Sequence, residues 1–178
     1  MASYDEGKTE AVKWIFEYFS RGSTCLDVGA CDGKWFTLLS DCMIMDAVEV
    51  WGPYISKHNL RAKYRAVFNC SIQELKFNHY DLIIFGDVLE HMSVADARRV
   101  IEYAWPRCND MLIAVPFHYK QGAKKGNPYE RHVQDDLTFN IFMERFPGFQ
   151  PPYLSDKYAY FVKDKKMRLD ETVLCANV

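Results

Sequence analysis

The chain has 178 residues, of which 49% are hydrophobic and 26% charged, and its net charge is −2. That length and apolar content suit one domain over residues 1–178 with a sizeable core. There is no basic excess for a nucleic acid or an anionic membrane, and no apolar run reaches membrane-spanning length.

Six cysteines, at positions 25, 31, 42, 70, 108 and 175, are scattered, and none forms a Cys-x-x-Cys pair. In a chain this large an even count is no argument for disulfides, and a reduced, cytoplasmic setting is expected. The first residues lack a basic segment followed by an apolar one, so no secretory signal is expected.

The first helix is expected over residues 9–19, where Val12, Ile15, Phe16 and Phe19 form an apolar stripe. Arg21-Gly22-Ser23 ends it. Cys25-Leu26-Asp27-Val28 then reads as a short buried strand running into a turn, Gly29-Ala30-Cys31-Asp32-Gly33. Gly29 lets the backbone turn with positive φ and leaves no Cβ in the way of a ligand. Gly33 lets the next helix, from Lys34, pack close to the strand, burying Trp35, Leu38 and Leu39. The N–H groups of the turn and helix start suit a polar ligand.

A second strand over residues 44–50 carries Glu49, 22 residues beyond Asp27. In dinucleotide-type sites an acidic side chain about 20 residues after the turn takes the two hydroxyls of a ribose. Trp51-Gly52-Pro53 opens a helix to about residue 60, and residues 57–65 form a basic, solvated stretch. A third strand covers residues 65–70, with Ser71 and Ile72 after it. Residues 81–85 read as a strand buried on both faces, followed by Gly86-Asp87-Val88-Leu89-Glu90-His91. Ser93-x-x-Asp96 starts a helix that stops near Pro106, and residues 110–115 form the fifth strand.

Residues 118–135 have no periodicity, and contain Gly122, Gly126 and Pro128 with a basic cluster at Lys120, Lys124 and Lys125. This is a long loop of the kind that covers a site. Asp135 and Asp136 start a helix with Phe139, Phe142, Met143 and Phe146 on one face. Pro151-Pro152-Tyr153 reads as a turn. Residues 158–162 and 172–176 fit an antiparallel pair at a sheet edge. Strands alternating with helices argue a three-layer α/β sandwich.

Three segments, Leu26-Asp27-Val28-Gly29-Ala30-Cys31-Asp32-Gly33, Ala47-Val48-Glu49-Val50 and Tyr80-Asp81-Leu82-Ile83-Ile84-Phe85-Gly86-Asp87-Val88-Leu89-Glu90-His91, resemble in that order the class I S-adenosylmethionine-dependent methyltransferases. The last resembles the Asp-Val-Leu-Glu-His run of small-molecule members, including the ubiquinone-biosynthesis group. The resemblance covers roughly residues 25–116. It implies a Rossmann-like sandwich whose seven-stranded sheet is mostly parallel, with an antiparallel C-terminal strand. It also implies S-adenosylmethionine as cofactor and a small-molecule oxygen or nitrogen acceptor. The cofactor contacts it implies are Asp27, Gly29, Ala30, Gly33, Glu49, Val50, Ser71, Ile72, Gly86, Asp87 and Val88. Cys31 stands where the family usually has glycine.

Methyl transfer from a sulfonium is an in-line displacement at carbon, so the protein has to position the nucleophile and manage its proton. His118, just past the fifth strand, and His132, in the long loop, are the candidate bases, with Glu130 orienting one of them. A solvated loop histidine is the competing reading for each. Glu90 and His91 follow Asp87 by one turn, and a structural histidine competes there. Nothing in the spacing defines a His-Glu-His ligand set, so no metal is expected. The loop is expected to be mobile and to close over the acceptor. Two rival readings remain. A nicotinamide-dependent oxidoreductase shares the ribose logic, and a non-catalytic cofactor-binding or scaffold protein shares the fold.

Overall fold

The computed structural model describes residues 5–124 and 126–165. The expectations at Lys125 and over 172–176, with Cys175, lie outside them. The elements in order are α1 (Lys8–Tyr18), β1 (Ser23–Val28), α2 (Lys34–Leu39), β2 (Met43–Val48), α3 (Gly52–Lys57), α4 (Leu60–Lys63), β3 (Ala66–Phe68), β4 (Tyr80–Gly86), α5 (Val94–Ala104), β5 (Cys108–Pro116), α6 (Phe139–Arg145), β6 (Gln150–Leu154) and β7 (Tyr158–Asp164). They build a seven-stranded sheet of order β3-β2-β1-β4-β5-β7-β6. Strands β1 to β5 are parallel, and β7 runs antiparallel to both β5 and β6.

The side chains of each central strand alternate between two cores, as the period of two requires. Cys25, Met45, Ala47, Leu82, Ile84 and Leu112 pack with Trp14, Ile15, Trp35, Leu39, Ile55 and Leu60 of α1 to α4. Leu26, Val28, Val48, Ile83, Phe85 and Ile113 pack with Ala97, Val100 and Ile101 of α5 and Phe142 of α6. The result is the three-layer sandwich. Strand β4 sits at its centre, with Leu82 to Phe85 fully buried, which is why its sequence is a continuous apolar run. The Ser93 hydroxyl accepts from the Asp96 N–H and caps α5, as its spacing predicts. A buried polar knot ties β2, β3 and β4: Asp46 accepts from Arg65 Nε at 2.9 Å and from the Tyr80 hydroxyl at 2.7 Å.

Three expectations change. Leu38 is 37% exposed, because α2 is a single short helix and its sheet-facing positions are Trp35 and Leu39, four residues apart. Helix α6 begins after Thr138, whose hydroxyl accepts from the Ile141 N–H; Asp136 lies before it and pairs with Arg145. Pro151, Pro152 and Tyr153 belong to β6 rather than to a turn. Strand β6 is the edge of the sheet among the described residues, where one side of the backbone pairs with no other described strand and proline costs no ladder bond there.

The segment from His118 to Gln134 is held to the sheet by its own hydrogen bonds. Val133 and Gln134 donate their N–H groups to the Glu90 carbonyl at 2.7 and 3.0 Å. The Gln134 amide donates to the Leu89 and Met92 carbonyls. Gln121, Asn127, Glu130, His132 and Gln134 are all buried. Buried polar side chains of a long connection are affordable only when satisfied. These bonds make the described part of the loop a wall of the cleft in this conformation.

Candidate functional site

A cleft of about 480 Å³ opens at the C-terminal ends of β1, β2 and β4. The chain order reverses between β1 and β4, the place where open α/β sheets bind ligands. The volume lies in the range of about 300–1,000 Å³ usual for small-molecule sites. Val28, Gly29 and Cys31 form one wall, Val48, Glu49 and Val50 the next, and Ser71 and Ile72 follow after β3. Gly86, Asp87 and Val88 come from the end of β4. Glu130 and His132 come from the long loop.

Gly29 has φ 75°, and a Cβ there would meet Val88 Cγ2 at 2.6 Å. Both the turn and the close approach of β4's end require glycine. Most of the N–H groups of the turn are already used. Gly29 and Ala30 donate to the Val48 carbonyl, Gly33 donates to the Ala30 carbonyl, and Lys34 donates to the Asp32 carboxylate. The turn therefore offers a ligand an uncovered backbone surface rather than a nest of free donors.

Glu49 is what shapes this turn. Its carboxylate accepts from the Cys31 N–H at 2.9 Å and from the Trp51 N–H at 2.8 Å, so one side chain braces β1–α2 against β2–α3. Burial pushes its pKa up, against the pull of those two backbone donors. A carboxylate carries about four acceptor sites, so two remain for the hydroxyls of a ribose.

Four of the expected residues lie elsewhere. Asp27 is 1% exposed and does not line the cleft. Neighbouring side chains on β1 point to opposite faces, and it is Val28 that reaches the cleft. Asp27 Oδ2 accepts from the Tyr64 hydroxyl at 2.5 Å, and Oδ1 has no partner among the described residues. Desolvation raises its pKa to about 7. Ala30 is buried in the core under α1 to α4. Gly33 has φ 79° and its bare Cα faces Lys63 and Leu60 of α4, so its glycine serves the turn and helix packing rather than a ligand. His118 is exposed, has φ 48°, and stands outside the cleft. Its N–H donates to the Leu137 carbonyl, which turns the chain away from the cleft there.

Cys31 also has positive φ, 49°. A non-glycine residue in that region is strained by about 1–2 kcal/mol. Cys31→Gly is expected to raise stability by about 0.5–1 kcal/mol, the relief being partly offset by the freedom glycine adds to the unfolded chain. Cys31→Phe would fill the cleft wall. Urea unfolding and calorimetry with S-adenosylhomocysteine check both: the Gly variant should bind at least as tightly, and the Phe variant should not bind.

At the far end of the cleft stand Glu90, His91 and His132. Glu90 is fully buried, and neither of its carboxyl oxygens has a hydrogen-bond partner among the described residues. Burial drives its pKa well up, with Asp87 and Glu130 adding to the rise. His91 Nε2 and His132 Nε2 each lie 4.0 Å from Glu90 Oε1. Their other ring nitrogens face backbone carbonyls: His91 Nδ1 lies 3.1 Å from the Arg131 oxygen, and His132 Nδ1 lies 2.7 Å from the Tyr119 oxygen. Burial lowers the pKa of His91 to about 4 and lowers that of His132. Both rings are neutral at pH 7, with Nδ1 carrying the proton and the Nε2 lone pairs turned toward Glu90. Glu130 beside them accepts from the Tyr54 hydroxyl at 2.9 Å and from the Gln121 amide at 3.1 Å. Tyr54 precedes Glu130 by 76 residues, and neither it nor Gln121 carried any sequence signal for the site.

No protein-family model matches the chain, and no curated protein matches its sequence. Solved structures do share the fold. A Burkholderia thailandensis 1,6-didemethyltoxoflavin-N1-methyltransferase with bound S-adenosylhomocysteine aligns over 90% of this chain and 78% of its own, at 17% identity and a TM-score of 0.61. An S-adenosylmethionine-dependent methyltransferase from Clostridium acetobutylicum aligns over 89% and 90%, at 9% identity and 0.67. A magnesium protoporphyrin IX methyltransferase from Synechocystis with bound S-adenosylmethionine aligns over 88% and 79%, at 16% identity and 0.56.

Proposed function

We propose that the chain is an S-adenosylmethionine-dependent methyltransferase acting on a small-molecule oxygen or nitrogen acceptor. The observation that carries the reading is Glu49. Its carboxylate stands at the C-terminal end of β2 in the cleft wall, with acceptor capacity to spare, beside a glycine turn that leaves the backbone uncovered. Ser71 and Ile72 flank the same wall, and Gly86, Asp87 and Val88 face it from β4. The fold neighbours that hold S-adenosylmethionine or its demethylated product support the same assignment.

The cofactor supplies an activated methyl group on a sulfonium. This chain's share is to seat it, to exclude water and to handle the acceptor's proton. Proton handling falls to the histidine cluster around Glu90, which includes His132 and excludes His118. Glu130 is already engaged by Tyr54 and Gln121, so it holds the loop in place around His132.

Calorimetry with S-adenosylmethionine, S-adenosylhomocysteine and NADH tests the assignment. The two sulfur nucleosides should bind in the micromolar range and NADH should not. Binding of NADH alone would overturn it in favour of a nicotinamide-dependent enzyme.

A further inference from the structure

We propose that Glu90, His91 and His132 form a divalent-cation site at the acceptor end of the cleft, and that this cation holds and activates an oxygen acceptor. The inference deepens the methyltransferase reading and rests on it for the role of the cation, though not for the site itself.

The arrangement is that of a ligand set. One nitrogen of each imidazole and one carboxylate oxygen all lie within 4.8 Å of one another, and each Nε2 stands 4.0 Å from Glu90 Oε1. Each ring has its Nδ1 against a backbone carbonyl, at 3.1 Å for His91 and 2.7 Å for His132. Metal-bound histidines are commonly oriented in this way, with the far nitrogen donating to a carbonyl so that the near one presents its lone pair. Glu90 points the same way. It is fully buried, yet both carboxyl oxygens lack a hydrogen-bond partner among the described residues.

A structural cluster of these three groups would close up into hydrogen bonds. Both Nε2–Oε1 distances are instead 4.0 Å, too long for a hydrogen bond. A cation bound at about 2.1 Å from each donor needs those donors only about 3.0–3.4 Å apart, which a modest tilt of the rings and carboxyl provides. The cost of leaving a buried carboxyl unpaired is then recovered on metal binding. Three residues contribute from two separate segments, the turn after β4 and the long loop, which explains why the loop is tied so firmly to Glu90's backbone.

The donor set narrows the ion. Two imidazoles with one carboxylate suit the first-row divalent metals, manganese to zinc, and contain no thiolate. All three residues line the cleft, and three protein ligands leave coordination positions for a substrate held in it. A hydroxyl or phenol oxygen bound there loses its proton to solvent more readily. That oxygen's electron pair then forms the O–CH₃ bond while the C–S bond of the sulfonium donor breaks, its pair staying on sulfur. The acceptor class that follows is an alcohol, enol or phenol rather than an amine.

Cobalt(II) is a suitable probe, because its visible absorption reports the ligands. Untagged protein titrated with cobalt(II) should take up one equivalent in the micromolar range, with d–d bands of an oxygen- and nitrogen-ligated ion. Glu90→Gln and His132→Asn should each weaken uptake at least tenfold, whereas His118→Ala should leave it unchanged. Circular dichroism melts establish that the variants are folded, and His91→Asn serves as a third variant should either of the first two fail to fold. No cobalt uptake at millimolar concentration would overturn the site. So would uptake unchanged in the folded variants, or a thiolate charge-transfer band pointing to Cys31 or Cys70. Calorimetry with S-adenosylhomocysteine is read separately. Cobalt uptake without nucleoside binding sinks the methyltransferase reading but not the site, and nucleoside binding without cobalt uptake does the reverse.

Discussion

Asp27→Asn is expected to abolish the part of the stability loss between pH 4 and pH 7 that Asp27 causes. Asp27 is 1% exposed, and desolvation lifts its pKa from 3.8 to about 7 in the folded chain. Below pH 3.8 the carboxyl is protonated in both folded and unfolded states and contributes no pH dependence. Between 3.8 and about 7 the folded state keeps a proton that the unfolded state has released. Stability then falls by about 1.4 kcal/mol per pH unit, up to about 4 kcal/mol in all, and levels off above the folded pKa. Asparagine is isosteric, carries no charge, and still accepts from the Tyr64 hydroxyl. The variant should thus lose this slope and be the more stable protein at pH 7.5. Urea unfolding of both proteins at pH 4.5, 6 and 7.5 measures the difference. Curves that stay parallel across the range would mean that Asp27 is ionised and solvated, and that the strand is not buried as described.

Glu49→Ala is expected to remove cofactor binding and to weaken the fold together. Its carboxylate takes the N–H groups of Cys31 and Trp51. Leaving donors without an acceptor in this part-buried region costs about 1–3 kcal/mol of stability. Loss of charge-assisted bonds to the ribose should lower affinity for S-adenosylhomocysteine by roughly 10–100-fold, equivalent to about 1.4–2.8 kcal/mol. Glu49→Gln separates the two effects. Its single carbonyl oxygen can accept from only one of the two N–H groups, which bond to different oxygens of Glu49, so part of the stability should return while the affinity stays low. Unchanged affinity in both variants would place the ribose elsewhere and remove the main support for the methyltransferase reading.

These two carboxylates look alike in the sequence, each near the end of a short strand before a turn. The pattern marks both Asp27 and Glu49 as ligand contacts, but only Glu49 lines the cleft. Asp27 is the penultimate residue of β1, and the alternation of a strand turns it under α2 and α4 toward Tyr64. Glu49 lies one residue past β2, where the backbone leaves the sheet and the alternation no longer applies. A one-residue difference in where a strand ends decides the matter, and strand ends are the least legible feature of a sequence.

Most of the central sheet was legible because its signals are local. The apolar run Leu82 to Phe85, the glycine turn at 29–33 and the Ser93 cap each depend on neighbours within a few residues. Order along the chain then restricts how such units can stack, so the layered architecture followed from the pattern of strands and helices. The prolines of β6 misled because an edge strand and a turn tolerate them equally.

What only the tertiary structure decided is which polar side chains meet. Glu90 and His91 are adjacent in sequence, but His132 reaches them from a loop 41 residues further on, and nothing in its composition specifies that contact. The glycines and lysines of residues 118–134 give no hint of where the segment docks, yet hydrogen bonds to the Glu90, Leu89 and Met92 carbonyls fix its C-terminal end against the cleft. Likewise His118 and His132 are equivalent by residue type, and only the path of the loop turns the first outward and the second toward Glu90. Local chemistry in the chain determined that there would be a parallel sheet with a glycine turn and an acidic residue at its switch point. Long-range packing, in which loop residues gain their partners only after the sheet exists to hold them, determined which histidines share the cleft with a buried carboxylate.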